Sequence, residues 1–164
     1  MITVFTPSYN RAHTLLKLFD SLQGQSDLGF EWLIVDDGST DGTQELCAGF
    51  VRGASFPVRY MRQENAGKHV AINRGAAEAR GEWFFIVDSD DYLPPDSIET
   101  NERYLAQIEE DPGYAGVSGV CARADGSWLL GQGLSLEGMD SRVRGLFSLE
   151  YIDATSQEYR SELK

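Results

Sequence analysis

With 164 residues, 41% of them apolar and 24% charged, the chain has the size and composition of one globular domain that can bury a core. Its 26 acidic residues against 14 basic ones give a formal charge of −12, which argues against nucleic-acid or anionic-membrane binding. A small anionic substrate remains compatible, provided a metal and a few local basic groups reverse the field at its site.

Residues 2–6 predict a short buried strand, with Pro7 expected to stop its ladder and Asn10 to cap the helix after it. Leu15, Leu16, Leu18, Phe19 and Leu22 recur at helical spacing, and Gly24 is a natural stop. Residues 30–35 read as a second strand, followed at once by Asp36-Asp37-Gly38-Ser39-Thr40-Asp41-Gly42-Thr43. There Asp41, with Gln44 three residues on, suggests a capping box for a helix that runs to Phe50 or Val51. Residues 58–62 form a third strand, Asn65-Ala66-Gly67-Lys68 a polar loop, and residues 69–79 a helix closed by Gly81. The run Trp83-Phe84-Phe85-Ile86-Val87 is a fourth strand, and its large apolar side chains read as buried on both faces in the middle of a parallel sheet. It ends in Asp88-Ser89-Asp90-Asp91, and residues 96–110 come next as a helix that Asp91 or Asp96 could cap. This alternation predicts right-handed crossovers and an α/β open, mainly parallel, twisted sheet flanked by helices.

Past Asp111-Pro112-Gly113 the pattern loosens. Residues 114–124 suit a strand, Asp125-Gly126 a hairpin and residues 127–130 its return. Residues 131–145 read as a glycine-rich loop, 146–152 as a strand and 155–164 as a helix capped by Thr155 with Glu158. That helix has no C-cap, so a C-terminally truncated chain is expected. Cys47 and Cys121 have neither CxxC nor ligand-like spacing, which predicts reduced thiols and no Cys/His metal site. The chain opens directly on a strand, so no secretory signal is expected, and no stretch approaches the ~20 apolar residues of a membrane span.

Three carboxylates at the end of a core strand repel one another unless water, hydrogen bonds or a cation offset them. Mg²⁺ commonly takes one or two carboxylates plus substrate phosphates, which Asp88 and Asp90 could supply. A solvated acidic turn explains Asp-x-Asp alone equally well. In open α/β sheets, however, ligands bind outside the carboxyl ends of the strands, and here four polar loops share that rim. Each loop has its own turn chemistry; their joint occurrence is harder to explain by turns alone. A Walker loop is excluded, since Gly67-Lys68 is preceded by Arg62 rather than glycine five positions earlier and is followed by His69. No GxGxxG follows the first strand, which disfavours a dinucleotide-binding fold.

The segments Val4-Phe5-Thr6-Pro7-Ser8-Tyr9-Asn10-Arg11, Ile34-Val35-Asp36-Asp37-Gly38-Ser39-Thr40-Asp41-Gly42-Thr43, Glu64-Asn65-Ala66-Gly67-Lys68 with Ala71-Ile72-Asn73-Arg74-Gly75, and Phe85-Ile86-Val87-Asp88-Ser89-Asp90-Asp91 occur in a telling order and spacing. Together they resemble the family 2 glycosyltransferases, strongly over residues 1–100 and weakly beyond. The resemblance implies a GT-A fold, a nucleotide-diphosphosugar donor (a UDP-sugar foremost), Mg²⁺ or Mn²⁺, and inversion at the anomeric carbon. It implies a single domain, with residues 1–111 as the nucleotide-sugar-binding half and 112–164 as the start of the acceptor side. Donor contacts are then expected from Thr6, Pro7, Tyr9, Arg11, Asp37, Gly67, Lys68, Asn73, Asp88 and Ser89, with Asp37 accepting a hydrogen bond from the base. Asp90 becomes the principal metal ligand, with Asp88 beside it or near the ribose.

The family's catalytic base is an Asp well downstream of Asp-x-Asp, expected beyond Lys164. Asp153 and Glu158 are acids late in the chain, better read as turn and cap residues. The resemblance further implies a glycan, lipid or other hydroxyl acceptor; the cysteines suit a cytoplasmic location, with the inner membrane face as an option, and an apolar face carrying Leu163 in the last helix makes a homodimer another. His13 and His69 have no partner at ligand spacing, and Trp128 reads as core or as a sugar-stacking ring. Two rival readings are a nucleotidyltransferase, which wants a glycine- and base-rich loop after the first strand, and a non-catalytic nucleotide- or metal-binding module.

Overall fold

The computed structural model describes residues 1–109, 114–119 and 150–153. In chain order the elements are β1 (Ile2–Ser8), α1 (Ala12–Gln23), β2 (Glu31–Asp36), α2 (Thr43–Gly53), β3 (Val58–Arg62), α3 (Lys68–Glu78), β4 (Trp83–Ile86), α4 (Ser97–Ile108), β5 (Tyr114–Ser118) and β6 (Glu150–Asp153). Met1–Glu102 belong to one compact unit and Arg103–Tyr159 to a second. In the first unit, four parallel strands are ordered β3-β2-β1-β4. In the second, β5 pairs antiparallel with β6, with an irregularity between Tyr114 and Gly116. The hairpin at Asp125-Gly126, the returning strand, the loop 131–145, the helix 155–164, Cys121, Trp128 and Glu158 lie outside the described residues.

Alternation of side chains across the sheet builds two apolar layers. Phe5, Leu33, Val35 and Ala71 form a buried cluster on the α3 side, with Met61, Ile72 and Phe84 against it. Phe5 and Phe84 stack at 4.8 Å. Gly75 of α3 lies so close to this layer that a Cβ there would overlap the Phe5 ring. On the other side, Phe19 stacks on Phe50 at 4.3 Å and Trp32 leans on Phe50 at 5.5 Å. The buried Trp32 indole donates to Thr6 Oγ1 at 3.0 Å, which satisfies both polar groups in the core.

Four local expectations are corrected. Pro7 does not stop the ladder, because β1 pairs with β2 through Pro7 and Ser8. Phe5 O accepts from Val87 on the β4 side and Ser8 O from Asp37 on the β2 side. By alternation Pro7 faces β4, whose pairing with β1 stops at Phe5, so its missing N–H breaks no bond. Secondly, β4 is only half-buried, Ile86 is exposed, and β4 ends the row of strands among the described residues. Its three aromatic residues are each half-buried, whereas β1 and β2 are buried at every position.

Thirdly, Asn10 does not cap α1. Arg11 holds the N-cap position without a side-chain bond, and the Ala12 N–H is taken by Asp41 Oδ2 at 3.0 Å. Fourthly, no Asp41–Gln44 box forms at α2, where Gly42 is the N-cap with φ 86°. Asp41 instead accepts from Thr43 N and Oγ1, so one carboxylate serves the starts of two helices. The start of α4 is served from α1's end: Gln25 Oε1 accepts from Ile98 N at 3.1 Å while its amide donates to Pro94 O at 2.7 Å.

The amino end of the sheet carries a polar network that the strand pattern gave no sign of. Buried Glu31 accepts from Thr3 Oγ1 and Arg80 N, both at 2.8 Å, and faces Arg59 at 3.4 Å. Gly81 donates to Thr3 Oγ1, and any side chain at Gly81 would strike the backbone of Met1, Ile2 and Thr3. This network serves the fold, at the end of the strands away from the polar loops.

Candidate functional site

At the carboxyl ends of the strands the four polar loops are tied to one another in sequence. The first two are joined by Asn10, whose N–H donates to Ser39 Oγ at 2.8 Å and whose Oδ1 accepts from Thr40 N at 2.9 Å. The second and third are joined by Asp37, whose Oδ1 accepts from Gln63 Nε2 at 2.7 Å and Ala66 N at 2.9 Å. Its Oδ2 accepts from Gly67 N at 2.8 Å. The third and fourth are joined by Lys68 Nζ, 2.7 Å from Asp88 Oδ1 and 2.9 Å from Oδ2. Chain segments far apart in sequence thus form one rim before any ligand arrives.

The two adjacent acids after β2 have different work. Asp36 is fully buried, accepts from Ser39 N at 2.8 Å and from the Tyr60 hydroxyl, and has Arg62 Nε 4.0 Å away. Burial first, then that bond to Asp36, pushes the Tyr60 phenol well up. Asp37 stands at the rim. Burial alone would raise its pKa, but the bonds from Ala66, Gln63 and Gly67 outweigh it and hold the carboxyl below its ordinary value. Gly38 and Gly67, with φ of 87° and 96°, give the backbone the left-handed turns that this close approach needs.

The loop after β4 is an acidic turn closed by Asp91 N donating to Asp88 O at 3.0 Å. Asp90 and Asp91 are exposed, and Ser89 between Asp88 and Asp90 is buried. Although Asp91 is exposed as a residue, its carboxyl stands in a crowded turn. That crowding first, then the charges of Asp88 and Asp90, raises its pKa against the opposing charge of Lys68. Among the described residues no three His, Cys, Asp or Glu side chains gather to hold a metal by themselves. Asp88 and Asp90, two residues apart on this turn, are of the residue type that takes a Mg²⁺-like ion whose other ligands come from phosphate and water.

The remaining expected donor residues divide by location. Pro7 is buried at the end of β1, Tyr9 is 50% exposed beside it, and Arg11 is exposed at the start of α1. Thr6 lies inside the sheet, occupied with Trp32, and Asn73 is exposed along α3, so these two stand apart from the interlinked set. Sequence reasoning placed Asn10 and Ser39 in rim loops without the bonds that join those loops, and it missed Asp41 and Gln63. Their only signal was proximity to the motifs, because their partners lie 26 to 30 residues away. Ser8 Oγ is buried without a hydrogen-bond partner among the described residues.

The family model for glycosyl transferase family 2 matches residues 3–151. The glycosyltransferase GlyA of Streptococcus pneumoniae serotype 4 is 36% identical over 110 residues, covering 67% of this chain and 16% of GlyA. The mannosyltransferase PcManGT from Pyrobaculum calidifontis, solved with GDP-Man and Mn²⁺, superposes with a TM-score of 0.65 at 27% identity, over 74% of this chain and 35% of that one. S. aureus TarS 1–349, solved with UDP-GlcNAc, superposes with a TM-score of 0.57 at 27% identity, over 66% and 32%. The chain therefore spans less than half the length of these proteins. Its parallel sheet flanked by helices is that of the GT-A glycosyltransferases it superposes on, and the chain belongs to glycosyl transferase family 2.

Proposed function

We propose that this chain is the donor-binding portion of a glycosyltransferase that moves a sugar, with inversion, from a nucleotide-diphosphosugar to an acceptor hydroxyl. The observation that carries the reading is the interlinked rim. One buried carboxylate, Asp37, fixes the loop that presents Lys68, and Lys68 in turn meets the Asp88 turn. A rim assembled in advance loses little entropy on binding, the condition under which contacts convert into affinity and positioning.

In this reading half-exposed Tyr9, next to buried Pro7, offers an apolar surface to the nucleoside, with Asp37 beside it. Asp37 keeps capacity for one more hydrogen bond on Oδ2, since a carboxylate accepts about four. Lys68, exposed on the rim, can leave Asp88 for the diphosphate, because an ion pair between two exposed groups is worth only about 0–1 kcal/mol. Asp90, with Asp88 beside it, would hold a divalent cation; when bound, that ion offsets the charge that develops on the departing diphosphate. Asp37, Asp88 and Asp90 have other work in this reading, and we place the group that takes the acceptor's proton outside the rim. An acidic chain of charge −12 suits a neutral glycan acceptor better than an anionic one.

The test is calorimetry with UDP and with GDP, each with and without Mn²⁺. Binding should require the cation, and Asp90→Ala should abolish that requirement along with most of the affinity. Equal nucleotide binding by the wild type in chelator would remove the metal from the reading. The rival reading, a binding module without catalysis, separates at the next step: in a chain extended past Lys164, the module leaves a nucleotide sugar intact over days, and the transferase consumes it.

A further inference from the structure

We propose that Asn10 is a positioning residue that sets the spacing between Tyr9 and Asp37, the two sides of the nucleoside end of the rim. The claim rests on the donor reading above. Among the described residues Asn10 is the one non-glycine residue with positive φ, at 54°. Side chains adopt that left-handed conformation uncommonly, and asparagine is one of the few that tolerate it. The conformation is held from outside the loop. The Asn10 N–H donates to Ser39 Oγ at 2.8 Å, and its Oδ1 accepts from Thr40 N at 2.9 Å and from Thr40 Oγ1 at 3.5 Å.

Two further bonds flank it. Ser8 O accepts from Asp37 N at 2.8 Å, and Ala12 N donates to Asp41 Oδ2 at 3.0 Å. Every tie thus runs from residues 8–12 to residues 37–41, and half-exposed Tyr9 stands between them. The outer bonds at Ser8 and Ala12 fix where the first loop leaves and rejoins the fold. Only Asn10 fixes the turn itself, and therefore how far the Tyr9 ring stands from Asp37. Residues that sit in such strained conformations next to an open polar rim are a recurring feature of ligand clamps.

Three substitutions separate backbone shape from the hydrogen bond. Asn10→Gly keeps the positive φ and loses the acceptor. Asn10→Asp keeps both, and Asn10→Ala loses both. A control, Thr3→Ala, removes the hydroxyl that bonds Glu31 and Gly81 at the opposite end of the sheet, and so lowers stability without touching the rim. The experiment is a calorimetric titration with UDP in Mn²⁺, paired with a urea unfolding midpoint for every variant.

Asn10→Gly should bind UDP about tenfold more weakly and Asn10→Ala more weakly still, while Asn10→Asp stays within about threefold of the wild type. Thr3→Ala should lose stability and keep its affinity. Wild-type affinity in Asn10→Gly and Asn10→Ala would overturn the positioning role alone. So would affinity that simply follows the unfolding midpoint across all variants, Thr3→Ala included, or an Asn10→Asp as weak as Asn10→Ala. Failure of the wild type to bind either UDP or GDP in Mn²⁺ overturns the donor reading itself, and the positioning role with it.

Discussion

Asp37→Ala is the most informative single change on the rim. It removes a buried carboxylate that accepts from Gln63 Nε2, Ala66 N and Gly67 N at 2.7, 2.9 and 2.8 Å. Hydrogen bonds to a charged group contribute about 1.5–3 kcal/mol each, and a donor left buried without a partner costs about 1–3 kcal/mol. The three bonds are not additive, and water can reach part of the rim, so the expected loss is about 3 kcal/mol, well below their sum. For a chain of this size that lowers the melting temperature by roughly 6–12 °C and leaves a total stability of about 5–15 kcal/mol depleted but positive. Asp37→Asn is the sharper companion, because its amide would face the Gly67 N–H donor to donor. The pH dependence carries a sign. Asp37 has a folded pKa below its ordinary 3.8, so its contribution is present above that value and is lost as pH falls through the folded value. The gap between wild type and Asp37→Asn, read from urea midpoints at constant m, should therefore hold above about pH 5 and shrink as the pH falls below about 4. An Asp37→Ala protein within about 0.5 kcal/mol of the wild type would refute the reasoning, because it would mean the three bonds do not hold the loop.

Other predictions rest on single contacts. Gly75→Ala should destabilise by about 1–3 kcal/mol, because overlap with the immobile Phe5 ring outweighs the ~1 kcal/mol that alanine gains over glycine within a helix; a higher urea midpoint would contradict it. Ser8→Ala should be neutral or stabilise by up to about 1 kcal/mol, since it removes a buried hydroxyl without a partner among the described residues; a loss larger than that would reveal one. The buried Cys47 thiol, pushed up to about 12 chiefly by burial and then by Asp36 and Asp41, should stay unlabelled by a thiol reagent at neutral pH in a Cys121→Ser background until the protein is unfolded; rapid native labelling would show that α2 opens.

The alternation of strand and helix was legible because periodicity and turn residues are local properties. So were the four rim loops, since the strand ends announce them. The features that stayed hidden depend on partners distant in sequence. Pro7 continues a ladder only because β4 stops pairing at Phe5. Asp41 caps α1 from across a loop, and Glu31 is a strand carboxylate that Thr3 and Arg80 make tolerable in the core. The run at β4 was read as central because large apolar side chains suit a strand covered on both faces, whereas among the described residues they are half-buried on the last strand of the row. Asn10 was read as a cap by residue type, whereas its backbone conformation and its bonds to Ser39 and Thr40 give it a different task.

The central claim is that the interlinked rim holds a nucleotide-diphosphosugar, and a crystal structure of this chain with UDP and Mn²⁺ tests it most directly. The nucleoside should lie against Tyr9 with Asp37 at the base, Lys68 should have moved from Asp88 towards the phosphates, and an Asp90 oxygen should ligate the ion. UDP seated elsewhere, for example in the groove beside β3 lined by Ala48, Val51, Arg52, Val58 and Tyr60, with the Lys68–Asp88 pair intact, would contradict it.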